Sequence, residues 1–333
     1  MKEAQFWEKE GEKVHCLLCP HNCKISEGKR GICGVRVNEN GVLNTLIYGM
    51  ATSVTPDPIE KKPLYHFYPG TYVLSFGTVG CNLKCLHCQN HSISQADFEG
   101  MRFKRLEKEK VVDTARRYKC DGIAWTYNEP TIWYEFTYDA SVLAKEAGLY
   151  TCYVTNGFIE KEPLEKISPY LDAMNVDVKA FKDDFYKKIC KAKLQPVLET
   201  CKRAKELGIL IELTYLIIPQ HNDSEPEISE FSTWVADDLG EDTPVHFSRF
   251  HPDYKMLDAS ATPMSTLGLA HDIAKKAGLK HVYLGNVPHG DYENTFCPQC
   301  GELLIERVGF STRGHYVQDG KCPKCGQKIP LRE

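Results

Sequence analysis

The chain has 333 residues, of which 42% are hydrophobic and 26% charged, with a formal net charge of −4. That size supports one large core with appendages; no apolar run approaches the ~20 residues a bilayer span needs, and no basic excess marks a nucleic-acid groove. Fifteen cysteines behind a polar, charged start that is no secretory leader read as metal chemistry in a reducing cytoplasm, not as disulfides.

Residues 1–70 form a Cys-rich segment and a connecting loop. Cys16, Cys19, Cys23 and Cys33, with His15 and His21 nearby, can build a metal site, zinc being the first expectation, or remain free thiols. After them, 35–37 and 42–43 predict a small hairpin turned by Asn40-Gly41. Four prolines between 51 and 70 argue against regular structure there.

From 71 to 290 the pattern alternates. Strands are expected at 72–76, 122–126, 150–155, 173–178, 210–218, 245–248 and 281–284. Helices are expected at 107–118, 133–146, 161–170, 195–207, 225–237 and 265–277. Alternation at this spacing means βαβ units and a parallel sheet, an α/β fold that can curl into part of a barrel. In such barrels chemistry sits beyond the carboxyl ends of the strands. Six strand ends carry polar clusters: the cysteine loop 78–91, then 127–130, 155–157, 177–179, 219–223 and 249–252. Singly, most of these residues are also ordinary turn and cap formers. Cys120, Cys152, Cys190 and Cys201 stand alone and are expected as small buried apolar groups.

The first cluster spaces Cys81, Cys85 and Cys88 as C-x3-C-x2-C. Three thiolates leave one corner of a four-iron cube open to an exogenous ligand. A Cys3His zinc site completed by His91 is the alternative reading of the same residues. The tail, 291–333, repeats a C-P-x-C-G knuckle at Cys297/Cys300 and Cys322/Cys325, the pattern of a zinc ribbon. Rubredoxin-like iron would use the same ligands.

The cysteine loop resembles the signature of the radical S-adenosylmethionine (SAM) enzymes. The resemblance implies a partial (βα)6 barrel of the TIM type and a [4Fe-4S] cluster on Cys81, Cys85 and Cys88. It implies SAM on the open iron, cleaved by one electron to methionine and a 5′-deoxyadenosyl radical. Glu129, in Tyr127-Asn-Glu-Pro130, stands where the family has Gly-Gly-Glu and holds the SAM amino group. Asn156 matches a SAM contact, Lys179 a lysine that neutralises the SAM carboxylate, and Arg249 and His251 the adenosine end. Asp177 matches a carboxylate that can hold a monovalent cation, although Val154 stands where the activases add an Asp. The family usually has an aromatic where this chain has His87.

The 57–70 run, with Glu60, Lys61, Lys62 and His66 as candidate contacts, resembles an activase-like subgroup. With the N-terminal cysteines, 127–130, 286–294 and the ribbon, the layout is similar to the radical SAM protein of the AmmeMemoRadiSam system, often labelled pyruvate formate-lyase activating enzyme. That implies an electron donor of the flavodoxin or ferredoxin kind and association with Memo-like and AMMECR-type proteins. The expectation is hydrogen abstraction from an unidentified substrate. The rivals are a glycyl-radical activase and a non-enzymatic multi-zinc scaffold or nucleic-acid-binding module.

Overall fold

The computed structural model describes residues 1–288 and 290–333. His289, inside the 286–294 stretch, lies outside them.

One eight-stranded sheet organises the chain. Its strands are β1 (Ser53–Pro58), β2 (Tyr72–Gly77), β3 (Gly122–Trp125), β4 (Tyr150–Thr155), β5 (Ala173–Asp177), β6 (Leu210–Ile217), β7 (Val245–Arg249) and β8 (Val282–Gly285). They lie side by side in sequence order. Neighbours from β2 to β8 pair in parallel, and β1 pairs antiparallel with β2. A parallel sheet in sequential order, with right-handed crossovers, puts its helices on one face and its strand ends on one rim.

The helices are α1 (Glu109–Arg117), α2 (Tyr134–Glu146), α3 (Lys161–Ile167), α4 (Gln195–Glu206), α5 (Glu225–Trp234) and α6 (Met264–Lys276). Each buries an apolar stripe at helical spacing, as Val111, Val112 and Ala115 do on α1. The alternation read from the sequence is present element by element.

The 51–70 stretch differs from expectation. Residues Ser53–Pro58 form a strand despite Pro56 and Pro58, which stand opposite Leu74 and Tyr72. The strand is at the sheet's edge, where a residue without an N–H is tolerated because one side has no ladder to feed.

Before it, two three-stranded antiparallel sheets carry the first four cysteines. Arg36–Glu39 and Val42–Thr45 pair around the expected Asn40-Gly41 turn, both residues at positive φ, 55° and 73°. Arg36 and Glu135 form a fully buried ion pair that fixes this segment to α2.

The tail pairs Thr295–Phe296, Leu303–Val308 and Ser311–His315 in its own sheet and packs a small core of Cys297, Leu304, Ile305, Cys322 and Ile329. Buried Arg307 docks it, donating to the carbonyls of Tyr65 (2.8 Å) and Glu293 (3.1 Å) and lying 3.7 Å from Glu60. No helix among the described residues is long and apolar enough to cross a membrane.

Candidate active site

The loop after β2 carries Cys81, Cys85 and Cys88 into a cavity at the carboxyl rim of the sheet. Asn128, from the loop after β3, braces it: its Oδ1 accepts from the Thr78 N–H at 3.1 Å and its Nδ2 donates to the Gly80 carbonyl at 2.8 Å. Burial drives the Cys81 and Cys88 thiols upward; for Cys85 the Cys190 thiol beside it is the larger cause and burial the second. Thiolates at these positions therefore need the positive charge that metal ions supply.

Four of the six expected SAM-side residues line the same cavity: Glu129, Asn156, Asp177 and Lys179. Glu129 is fully buried and accepts three bonds: from the Thr131 N–H (2.9 Å), the Thr155 hydroxyl (2.7 Å) and the Asn156 N–H (2.8 Å). Burial raises its pKa, and those donors oppose the rise. Asn156 joins the end of β4 to the cysteine loop, its Nδ2 donating to Asn82 Oδ1 at 2.9 Å and lying 3.7 Å from Cys81 Sγ.

Past β5, Lys179 Nζ meets Asp177 Oδ2 at 2.8 Å. Burial works against the ammonium, but Asp177 and the Cys85 sulfur more than offset it, so its pKa is raised and it stays charged. Asn222 holds the backbone there, donating to the Lys179 carbonyl at 2.7 Å. His87, in the family's aromatic position, is buried in the lining with its pKa pulled down to about 3 by burial and then by Lys179 and His221; it serves as a neutral ring.

Arg249 and His251 are not part of the lining. Arg249 turns its Nε to the Thr262 carbonyl (2.9 Å) and His251 is exposed, whereas the neighbouring Ser248 and Asn286 do line the cavity. The Cys3His alternative also fails. His91 stacks on Tyr254 (centroids 4.6 Å apart) outside the lining, and no His/Cys/Asp/Glu trio containing the three cysteines is tight enough for a single ion among the described residues.

Sequence matching assigns residues 76–231 to the radical SAM superfamily. The chain carries a radical SAM domain. It is therefore an enzyme, and the scaffold alternative is set aside. It is 51% identical, over 99% of both chains, to an uncharacterized protein of Methanocaldococcus jannaschii. It is 24% identical to a putative glycyl-radical enzyme activating enzyme of the same organism, covering 63% of this chain and 77% of that one. The pyruvate formate-lyase-activating enzyme of Clostridium pasteurianum is 25% identical, over 55% of this chain and 81% of that one. Streptococcus suis SuiB bound to precursor peptide SuiA shares the fold with a TM-score of 0.52 at 13% identity, covering 69% of this chain and 52% of that one.

Against this radical SAM frame, the 57–70 run takes on definite places. Tyr127, where the family has glycine, adopts a left-handed φ of 73°. Its hydroxyl donates to Asp57 Oδ2 at 2.5 Å, and buried Lys62 pairs with the same oxygen at 2.7 Å. That anchorage compensates for the missing glycine. Lys61 lines the cavity; Glu60 instead accepts from the Gly70 N–H and the Thr312 hydroxyl, and His66 binds the Tyr283 hydroxyl away from the lining. Phe310 was not singled out from the sequence, and the partners that Asp57 and Asn128 find come only from tertiary packing. Phe310, at the tip of the tail hairpin, reaches the lining across the whole fold.

Cys297, Cys300, Cys322 and Cys325 have all four sulfurs within 4.8 Å of one another, with Cys297–Cys325 at 3.5 Å and Cys300–Cys322 at 3.7 Å. Thiolates ~2.3 Å from one tetrahedral ion sit at about such separations. The Gly301 and Gly326 N–H groups close each knuckle onto the Cys297 and Cys322 carbonyls at 2.9 Å.

Proposed function

We propose that the chain is a radical SAM enzyme that abstracts hydrogen from a substrate bound against the rim of the sheet, beside Phe310. Supporting this is one cavity that gathers Cys81, Cys85 and Cys88 with an acid, an amide and a half-buried, charged lysine. A [4Fe-4S] cluster would be held by the three cysteines and SAM by its open iron; together, when reduced by one electron, they supply a 5′-deoxyadenosyl radical.

The chain's own residues bind and orient. Lys179 is the cation that pairs with the SAM carboxylate. Asp177 keeps it charged and aimed; with its carboxylate on Lys179 and Val154 offering no second oxygen, Asp177 serves that lysine and not a monovalent cation. Glu129, pinned by three donors, sets the negative side toward the SAM ammonium and fixes Asn156. Ser248 and Asn286 take the adenosine end in place of Arg249 and His251. The ribbon cysteines hold zinc. The protein works in the cytoplasm with a flavodoxin- or ferredoxin-like donor. Memo-like and AMMECR-type partners rest on the resemblance alone.

A second reading, a glycyl-radical activase, is favoured by the names of two relatives, each aligned to no more than 63% of this chain. Anaerobically reconstituted, reduced protein given SAM tests the first reading: 5′-deoxyadenosine should form with the wild type and not with Cys85→Ala. A reconstituted protein that binds SAM at no iron site would refute it. A glycyl-type EPR signal on an added partner protein would select the activase.

A further inference from the structure

The four N-terminal cysteines surround one enclosed hollow, lined otherwise by Leu18, His21, Ile25, Ile132 and Arg36. Two features of that hollow separate it from the ribbon. First, the sulfurs are spread. In the ribbon all four lie within 4.8 Å of one another; among the described residues no three of the sulfurs of Cys16, Cys19, Cys23 and Cys33 do. The trio Cys81, Cys85 and Cys88 likewise does not lie within 4.8 Å of one another. A single tetrahedral ion draws its thiolates together, whereas a cube with irons at separate corners holds them apart. By that measure the N-terminal set groups with the cluster loop and not with the zinc knuckles.

Second, the hollow has a buried donor beside one of its sulfurs. Arg36, 1% exposed, brings Nη1 to 3.6 Å from Cys16 Sγ, and its Nε has no partner. Hydrogen bonds to cluster sulfurs are one of the means by which a protein sets a cluster's potential.

We propose that Cys16, Cys19, Cys23 and Cys33 hold a second [4Fe-4S] cluster, with all four corners protein-bound, seated against the loop that carries Cys81. The contact is direct. Gly80 approaches Cys33 so closely that a Cβ there would stand 2.7 Å from the Cys33 carbonyl oxygen. The His21 ring bonds the Asn82 carbonyl at 2.7 Å. Cys16 and Cys33 are buried, while Cys19 and Cys23 are partly exposed. The site thus has a solvent side and a side toward the first cluster, the layout of an electron relay. One electron enters from a low-potential one-electron donor protein, reducing this cluster from 2+ to 1+. The same electron then leaves for the site on Cys81, Cys85 and Cys88, returning it to 2+. The relay role rests on the radical SAM reading; the cluster itself does not.

The test is metal counting and spectroscopy on the full chain after anaerobic reconstitution, with the Cys81→Ala/Cys85→Ala/Cys88→Ala variant beside the wild type. The expected result is about eight irons per wild-type chain and about four in the triple variant, with about one zinc in each. On dithionite reduction the triple variant should keep a [4Fe-4S] 1+ EPR signal that SAM does not alter. Cys19→Ala/Cys23→Ala should lose that second set of irons and keep the SAM-sensitive signal. Four irons with two zincs in the wild type, or a folded triple variant without iron, would overturn the second cluster and leave the enzyme reading standing. A wild type without iron would overturn both.

Discussion

The two ends of the chain each carry four cysteines, and they are built on opposite principles. The ribbon's sulfurs converge to tetrahedral separations and share a five-residue core of their own. The N-terminal sulfurs stay apart, and Cys16 and Cys33 belong to the main hydrophobic core together with Cys81 and Cys85. A short module with so little apolar area folds on its metal. A segment whose cysteines are part of a large core keeps its shape through that core. The difference teaches that sulfur count does not identify a metal site; sulfur spacing and what the surrounding chain is attached to do.

The largest test of the ribbon's dependence is Cys322→Ser. Structural zinc binding is worth about 10–16 kcal/mol in comparable small folds, so its loss should melt residues 295–333 as a unit. Limited proteolysis should then cut the tail while iron content and the far-UV helix signal persist. If the helices melt with it, the ribbon is not a separate unit.

Next in size is the joint between tail and sheet. Arg307→Met removes the donors to Tyr65 and Glu293 and takes the nearby cation away from buried Glu60, which keeps only its bonds from Gly70 and Thr312. Breaking a buried, hydrogen-bonded charge site of this kind costs about 3–5 kcal/mol. Urea unfolding should show that loss with the metal content of the tail unchanged, and a loss below 1 kcal/mol would mean the joint is held by other contacts.

At the other end, Gly80→Ala probes how tightly the N-terminal segment and the cluster loop are coupled. Gly80 has φ of +92° and no room for a Cβ beside Cys33. Strain of this kind costs about 1–3 kcal/mol. The substitution should lower stability by that amount and also perturb the EPR signal of the cluster proposed on Cys81, Cys85 and Cys88. An unchanged signal would separate the two segments.

Much of the fold was legible because seven strands and six helices follow their own periods of two and 3.6. The edge strand was not, since Pro56 and Pro58 deny a strand unless its edge position is known. The cavity divides in the same way. Cys81, Cys85, Cys88, Glu129, Asn156, Asp177 and Lys179 follow strands directly, so chain order places them. Asn128's brace, Tyr127's dependence on Asp57 and the reach of Phe310 join positions about 50 to more than 200 residues apart, with no local pattern to announce them. Arg249 ends a strand and His251 follows it, yet Arg249 is spent on Thr262. Position after a strand puts a residue at the rim without saying which way it turns.

The smallest effect is one that is complete at neutral pH and fades in acid, and it concerns Asp57, which lies on the chain between the two ends. Its carboxyl is buried, which by itself would raise the pKa. Lys62, Lys61 and the Tyr127 hydroxyl more than offset this, and the folded pKa falls below the ordinary carboxylate value. A depressed pKa means the contribution is complete above the unfolded carboxylate pKa, about 4, and is lost as pH falls through the folded value. Wild-type stability measured by urea should therefore decline below pH 4. Glu129 shifts in the opposite sense, so a raw pH curve mixes the two. Asp57→Asn isolates the term: it should be less stable than wild type at pH 7, and the gap should narrow as the pH drops below 4. A gap constant with pH would mean that Asp57 holds Tyr127 by shape and hydrogen bonding alone, with no contribution from its charge beside Lys62.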